Sequence, residues 1–255
     1  MSRQSPAPRV VLITGAGRRI GRGLALDLAR HGWAVGVHYA ESAVDAESVV
    51  AEIAAAGGKA AALQADLADA AATSTLVPAC AAALGQPTLL VNNAALFQED
   101  RLQTVDASAW DRQLAINLRA PVLLSQAFAA GLPATVHGNI VNIIDQRVWR
   151  LTPQFFSYTI AKAALWTATQ TMAQALAPRI RVNAIGPGPV LRSIHQSAAD
   201  FGAEVSATLL GIGTSPAEIA AAIRFILDAP AMTGQMIALD GGQHLAWRTP
   251  DIIGN

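Results

Sequence analysis

Seven short apolar runs, each followed by an amphipathic segment or a turn, recur along the chain, and they restrict its fold more than any other feature. The runs lie at 9–14, 34–39, 59–65, 88–92, 138–144, 180–186 and 236–239. Helical periodicity fills the intervals near 19–31, 43–56, 69–84, 107–131, 157–177 and 215–228. Ile140-Val141-Asn142-Ile143-Ile144 is apolar with almost no alternation. A strand of that kind is covered on both faces, which is the habit of parallel sheets. Strand–helix alternation with right-handed crossovers then predicts an α/β fold, one doubly wound parallel sheet of about seven strands with helices on both faces. No linker-like stretch and no repeat of solenoid period divides the chain. The expectation is a single domain over 9–255 behind a loose tail at 1–8.

The strand C-termini of such a sheet meet along one edge, and ligands bind there. The residues that carry chemistry follow strands at 14–21, 66, 93, 145 and 187–188. Thr14-Gly15-Ala16-Gly17-Arg18-Arg19-Ile20-Gly21 comes directly after Val10-Val11-Leu12-Ile13 and opens an amphipathic helix. Strand, glycine turn and helix form the context of a dinucleotide fingerprint: glycines admit backbone N–H groups to a pyrophosphate, and the helix adds its positive dipole end. Much further along, Tyr158 and Lys162 stand four residues apart, one helical turn, on one face. An ammonium beside a phenol stabilises phenolate, which predicts a Tyr158 pKa below its ordinary value and a proton exchanged near neutral pH. Tyr and Lys at that spacing also occur on solvated helix faces, so the pair gains its meaning from the glycine turn.

With these motifs in order, the chain resembles the short-chain dehydrogenase/reductase family over nearly its whole length. The resemblance assigns Asp66-Leu67 to adenine contact and Asn92-Asn93-Ala94-Ala95 to the turn after the fourth strand. It assigns Asn117 to the catalytic set with Tyr158 and Lys162, Pro187-Gly188 to the loop after the sixth strand, and Asp240-Gly241-Gly242 to the C-terminal turn. Gly15, Arg18, Arg19, Ile20, Gly21, Asn93, Ala94 and Lys162 complete the expected cofactor site. Asn117 would hold a water that links Lys162 to solvent.

Two departures are informative. Arg19 stands where the family usually has glycine, and Asp145 where it usually has serine. Both changes resemble the pteridine reductase and dihydromonapterin reductase branch, as do Val37-His38-Tyr39, Phe97 and the closing Asp240-Gly241-Gly242-Gln243-His244-Leu245. Ala95 replaces a serine common in that branch. The resemblance implies a flat pterin framed by Arg19 and Phe97, with Asp145 and Tyr158 as its polar contacts. A planar heterocycle stacks on an aromatic ring, and a guanidinium offers planar donors. Asp145 accepts bonds from ring N–H or amino groups, or carries a proton itself when its site is apolar. It is equally open to a structural role on backbone or on Tyr158.

An acidic residue at the end of the second strand favours NAD. Here that position is Tyr39, with Arg18 and Ser42 placed for a 2′-phosphate. Glu41 opposes such a phosphate unless it points to solvent. NADP(H) is therefore favoured, with NAD(H) open. The alternatives are a generalist reductase of a small ketone, acyl thioester or cyclic imine, and a nucleotide-binding regulator without catalysis.

Lys+Arg and Asp+Glu number 18 each, so nothing in the charge calls for a nucleic acid partner. The lone Cys80 rules out an internal disulfide. The sequence offers no signal peptide and no apolar run long enough for a membrane span, so a cytoplasmic protein is expected. His31, His38, His137, His195 and His244 are scattered, and no metal site is expected. The segment 189–213, with Ser193, His195, Gln196 and Phe201, reads equally as a mobile lid over substrate or as an ordinary surface helix. The helices at 107–131 and 157–177 carry apolar residues on several faces, Trp166 and Met172 among them. That pattern, with the family resemblance, implies a homo-oligomer built as a dimer of dimers.

Overall fold

The structure is a computed structural model that describes residues 9–193 and 196–247. The expected tail at 1–8 and the candidate His195 lie outside the described residues. Each apolar run has become a strand: β1 Val10–Ile13, β2 Ala34–Tyr39, β3 Ala60–Gln64, β4 Leu89–Asn92, β5 Gly138–Ile143, β6 Ile180–Pro187 and β7 Met236–Leu239. They form one sheet in the order β3-β2-β1-β4-β5-β6-β7, and every neighbouring pair is parallel. The order reverses between β1 and β4, which opens a crevice at their C-terminal ends.

The unbroken apolar runs follow from two-sided burial. Val11 and Ile13 of β1 join a core with the helices α1 (Arg19–Arg30), α2 (Ala43–Ala55) and α8 (Pro216–Asp228). Val10 and Leu12 face the opposite core, with α3 (Ala70–Leu84) and α5 (Ala120–Gly131). Successive side chains of a strand point to opposite faces, so one strand serves both layers. Local signals set the helix starts. Asp69 accepts from the backbone N–H groups of Ala71 and Ala72 at the head of α3, and Ser215 with Glu218 forms a capping box ahead of Pro216 in α8. Cys80 is buried on α3, and burial pushes its thiol up to about 12, so it packs as a small apolar group.

The structure corrects one expectation. The segment 107–131 is α4 (Ala107–Leu114), a π turn over Ala115–Arg119, and α5. Pro121 lacks an amide hydrogen to continue the ladder, and the helix re-registers just before it. Within 189–213 lies α7 (Ala198–Ser206), capped by Ser197 and with no buried residue. The long helix α6 (Phe156–Leu176) carries Tyr158 and Lys162 on its buried side. Trp166 and Met172 are half-buried against the chain's own cores, so neither is evidence for a face awaiting a partner. Among the described residues no helix is long and apolar enough to cross a membrane. No group of three or more His, Cys, Asp or Glu side chains among them is placed to hold a metal ion.

Candidate active site

The glycine turn at the end of β1 is held by a closed set of hydrogen bonds. Thr14 Oγ1 accepts from the backbone N–H groups of Asn93 and Ala94, both at 2.9 Å. The Asn93 amide donates to the Thr14 carbonyl at 2.8 Å and to the Gly15 carbonyl at 3.3 Å. Gly15 has φ +63°, and its N–H donates to His38 Nδ1 at 3.0 Å. The other His38 nitrogen lies 3.1 Å from the Ala65 carbonyl. These partners fix the neutral imidazole with its hydrogen on Nε2, and burial pushes its pKa down. A Cβ on Gly21 would lie 2.1 Å from the Gly15 carbonyl oxygen, so the turn admits no side chain there. Thr14 and His38 were not singled out from the sequence as site residues. A histidine at the end of an apolar strand was their one visible signal.

Arg19 adopts φ +51°, which explains the family's glycine at this position. Its guanidinium donates to the carbonyls of Leu191 and Arg192, each at 2.9 Å. The expected open platform for a substrate is thus, in this structure, a fork that ties the head of α1 to the segment after β6. Arg18 and Asp45 pair at 2.5 Å on the surface, beside Ser42 at the N-terminus of α2. The Ser42 hydroxyl does not cap that helix. Glu41 is exposed, Tyr39 is half-buried, and Ile20 packs on the core below the turn. Asp66 accepts from the Ala68 N–H at 2.9 Å, and Leu67 is buried. Pro187 ends β6, and Gly188 donates to the Leu239 carbonyl at 3.0 Å.

Asp145 follows β5 and faces Tyr158. The Tyr158 hydroxyl donates to Asp145 Oδ2 at 3.1 Å, and the Arg147 N–H donates to Asp145 Oδ1 at 2.8 Å. Desolvation raises the Asp145 pKa; the Arg147 N–H, the Arg147 charge, Tyr158 and Lys162 oppose it. Tyr158 is pushed well above the usual phenol range, first by burial and then by the charge and hydrogen bond of Asp145. This overturns the expected depression by Lys162. The Lys162 ammonium lies 5.7 Å from the centre of the phenol ring and donates to the Ile143 carbonyl at 2.7 Å. Burial, and after it the carboxylate, therefore keep the phenol protonated and able to donate at neutral pH.

Lys162 is 2% exposed, and burial pushes its pKa down to about 8. The unfolded chain binds more protons than the folded one between about 8 and the ordinary lysine value, so stability rises with pH across that window. Below it, burying the charge costs about 3 kcal/mol, and the bond to Ile143 returns about 1. Lys162→Met is therefore expected to stabilise the protein by about 2 kcal/mol at pH 7 and by much less at pH 10. Urea unfolding at the two pH values measures the difference; destabilisation at pH 7 would contradict it.

Asn117 is fully buried in the π turn. Its amide donates to the Leu96 carbonyl at 2.9 Å and to Gln113 Oε1 at 2.6 Å, and its oxygen accepts from the Leu96 N–H at 2.9 Å. Both amide hydrogens are committed, so this side chain clamps the turn after β4.

Phe97 stacks on Phe155 with centroids 4.2 Å apart and meets Tyr158 edge-on at 4.8 Å. Phe155 has φ +54°, strained for a residue with a side chain, and the Arg147 guanidinium lies 5.0 Å from its ring centroid. Asp100 accepts from the Ser157 N–H at 3.0 Å and from the Ser157 hydroxyl, which fixes the start of α6 one residue before Tyr158. Sequence reasoning missed Asp100, Arg147 and Phe155. Trp149 is edge-on to Trp166 at 6.5 Å and lies 5.0 Å from the His244 ring.

The arrangement thus brings Asp145, Tyr158 and Phe97 together, with Lys162 one turn below, beside a braced glycine turn. Known proteins share the architecture. The crystal structure of FolM alternative dihydrofolate reductase 1 from Brucella canis, complexed with NADP, is 49% identical and covers 95% of this chain and 96% of that one, with a TM-score of 0.93. The Brucella suis counterpart, also with NADP, is 50% identical over 95% and 97% with a TM-score of 0.92. A curated relative from Synechocystis, a 3-oxoacyl-[acyl-carrier-protein] reductase, is 34% identical and covers 92% of this chain and 96% of its own. Residues 9–201 match the short chain dehydrogenase family, and with the sheet order, the glycine turn and the Tyr158–Lys162 helix this places the chain in that family of oxidoreductases.

Proposed function

We propose that this protein reduces the C=N bond of a reduced pterin, such as a dihydropterin, using NADPH. The carrying observation is the desolvated Asp145 carboxyl bonded to the Tyr158 hydroxyl at 3.1 Å. A ketone offers no donor to a carboxylate, whereas a pterin presents ring N–H and amino groups and needs a proton at a ring nitrogen. The 49–50% identity to the two FolM structures supports the same substrate class.

The chain fits a dinucleotide. The Gly15–Gly21 contact leaves no room for a side chain in the turn, and α1 presents its N-terminus there. Gly15, Ala94, Pro187 and Gly188 would line its path, Asp66 and Leu67 would meet the adenine end, and Lys162 would hold the ribose near the reacting ring. When bound, the dinucleotide supplies the hydride. Tyr158 then delivers its proton to the pterin nitrogen, and Asp145 orients both Tyr158 and the substrate amino group. Phe97 offers the ring face for stacking, and Arg19 borders the other side while holding the segment 191–192.

The NADP of both Brucella structures supports NADPH here, as do Arg18 and the uncommitted Ser42 hydroxyl at the head of α2. The Arg18–Asp45 pair is exposed and weak enough to yield to a phosphate. Arg18→Ala is expected to raise KM for NADPH about tenfold and leave that for NADH nearly unchanged, read from initial rates. Equal effects on both would remove Arg18 from the phosphate site.

The name of the Synechocystis relative favours a second reading, reduction of a 3-oxoacyl thioester. NADPH oxidation by the purified protein with 7,8-dihydromonapterin or dihydrobiopterin, against an acetoacetyl thioester, separates the two. Turnover of the thioester alone would overturn the pterin reading. A homo-oligomer also belongs to this proposal: Val122 and Ile160 expose apolar surface on α5 and α6. Sedimentation at a single monomer mass would refute it.

A further inference from the structure

Arg147 differs from the other half-buried arginines among the described residues. Arg22 and Arg224 each face a carboxylate, Glu52 and Asp27. Arg179 donates to the carbonyls of Ala129, Leu132 and Pro133, and Arg181 to those of Leu227, Ala229 and Met232. The Arg147 guanidinium has one hydrogen bond, to the neutral Thr152 hydroxyl at 2.9 Å, and it takes part in none of the ion pairs among the described residues. A guanidinium presents five donors, so most of this fork is uncommitted. It feels the Asp145 charge without a direct ion pair, and no carboxylate or carbonyl among the described residues engages its fork, unlike those of the other half-buried arginines.

A chain of aromatic contacts joins Arg147 to the proposed proton donor. The guanidinium lies over the Phe155 ring, Phe155 stacks on Phe97, and Phe97 meets Tyr158. Its charge is felt by both Asp145 and Tyr158. Thr152 and the ring of Phe155 hold the fork in place without neutralising it, the condition for receiving a carboxylate in two parallel hydrogen bonds.

We propose that Arg147 binds an anionic group of the substrate, so that the enzyme prefers a molecule with a carboxylate on the chain attached to its reacting ring over an uncharged analogue. For the pterin reading, on which this inference rests, the preferred substrate is a reduced pterin with a carboxylate-bearing side chain. A hydroxylated side chain would leave the guanidinium unpaired.

The test measures NADPH oxidation by the wild type, Arg147→Gln and Arg147→Lys with two pairs of substrates. One pair is dihydrofolate and dihydrobiopterin, the other a 3-keto acid and its methyl ester. The expected result is a KM for the acid that rises about tenfold in Arg147→Gln, with kcat within about threefold, an unchanged KM for the neutral partner, and partial recovery in Arg147→Lys. A loss that is equal for acid and neutral partner, or that falls on kcat, would make Arg147 a support for Asp145 and overturn the proposal. No difference from wild type would overturn it too. Wild-type turnover of the ketone pair alone, with the acid preference lost in Arg147→Gln, would sink the pterin reading and uphold the arginine assignment. Wild-type turnover of neither pair with any acid preference would overturn the assignment.

Discussion

Tyr158→Phe is expected to lower turnover by about 10²–10⁴-fold while the dissociation constant for NADPH stays within about twofold. The phenol hydroxyl is held in its protonated form at neutral pH beside the Asp145 carboxyl. Burial and the Asp145 carboxylate both push its pKa up, and its hydrogen points along a 3.1 Å bond to Asp145 Oδ2. The substitution keeps the ring, and with it the edge contact to Phe97 at 4.8 Å. What disappears is the proton, together with one donor to a desolvated carboxyl. That second loss is expected to cost about 1–3 kcal/mol of stability unless Asp145 takes up a proton of its own. Stopped-flow single turnovers would show the chemical step slowed and the binding step intact. Wild-type turnover in this variant would remove Tyr158 from the chemistry and return the family's general acid to an unknown group.

The skeleton of this protein is legible in the sequence because its strands are buried on both faces and so read as uninterrupted apolar runs. The glycine turn and the Tyr158–Lys162 spacing are legible for a related reason: each lies within one local element. The π turn was less visible, since apolar periodicity continues through 107–131 and Pro121 is the only sign of the break. The direction of the Tyr158 shift is not legible because its causes, burial first and then the Asp145 charge, come from the tertiary packing around its helix. Lys162 shares the helix of Tyr158, yet the shift follows from burial and from Asp145, which comes from the end of β5. The Asp100 bond to Ser157 and the Arg19 fork on 191–192 join residues 57 and more than 170 positions apart. No periodicity predicts such pairs. The loop 146–155 is the least legible part, and it carries Arg147 and Phe155. That loop packs Phe155 against Phe97 beside Tyr158, which is why family membership is plain while the substrate needs an experiment.

Asp145→Ser carries the other large expectation. Reduction of a dihydropterin should fall by about 10²-fold, with little change in NADPH affinity and no loss on a simple ketone or thioester. The serine hydroxyl restores the family's usual partner for a carbonyl oxygen, but it is a weaker acceptor for a pterin amino group than a carboxylate. The variant should also displace the pH profile in a definite direction. Asp145 raises the pKa of Tyr158 by charge and by hydrogen bond, and it raises that of Lys162 by charge. Without it, both groups release their protons at lower pH. The alkaline limb of kcat/KM, where the donor is lost, should therefore move toward neutrality in Asp145→Ser. Asp145→Asn should show the same movement, since it too lacks the charge, and this separates the electrostatic effect from the altered shape. Unchanged pterin turnover in Asp145→Ser would sink the assignment of Asp145 as the selector of substrate class. A limb that stayed in place would show that some other group, and not this carboxylate, keeps the phenol protonated.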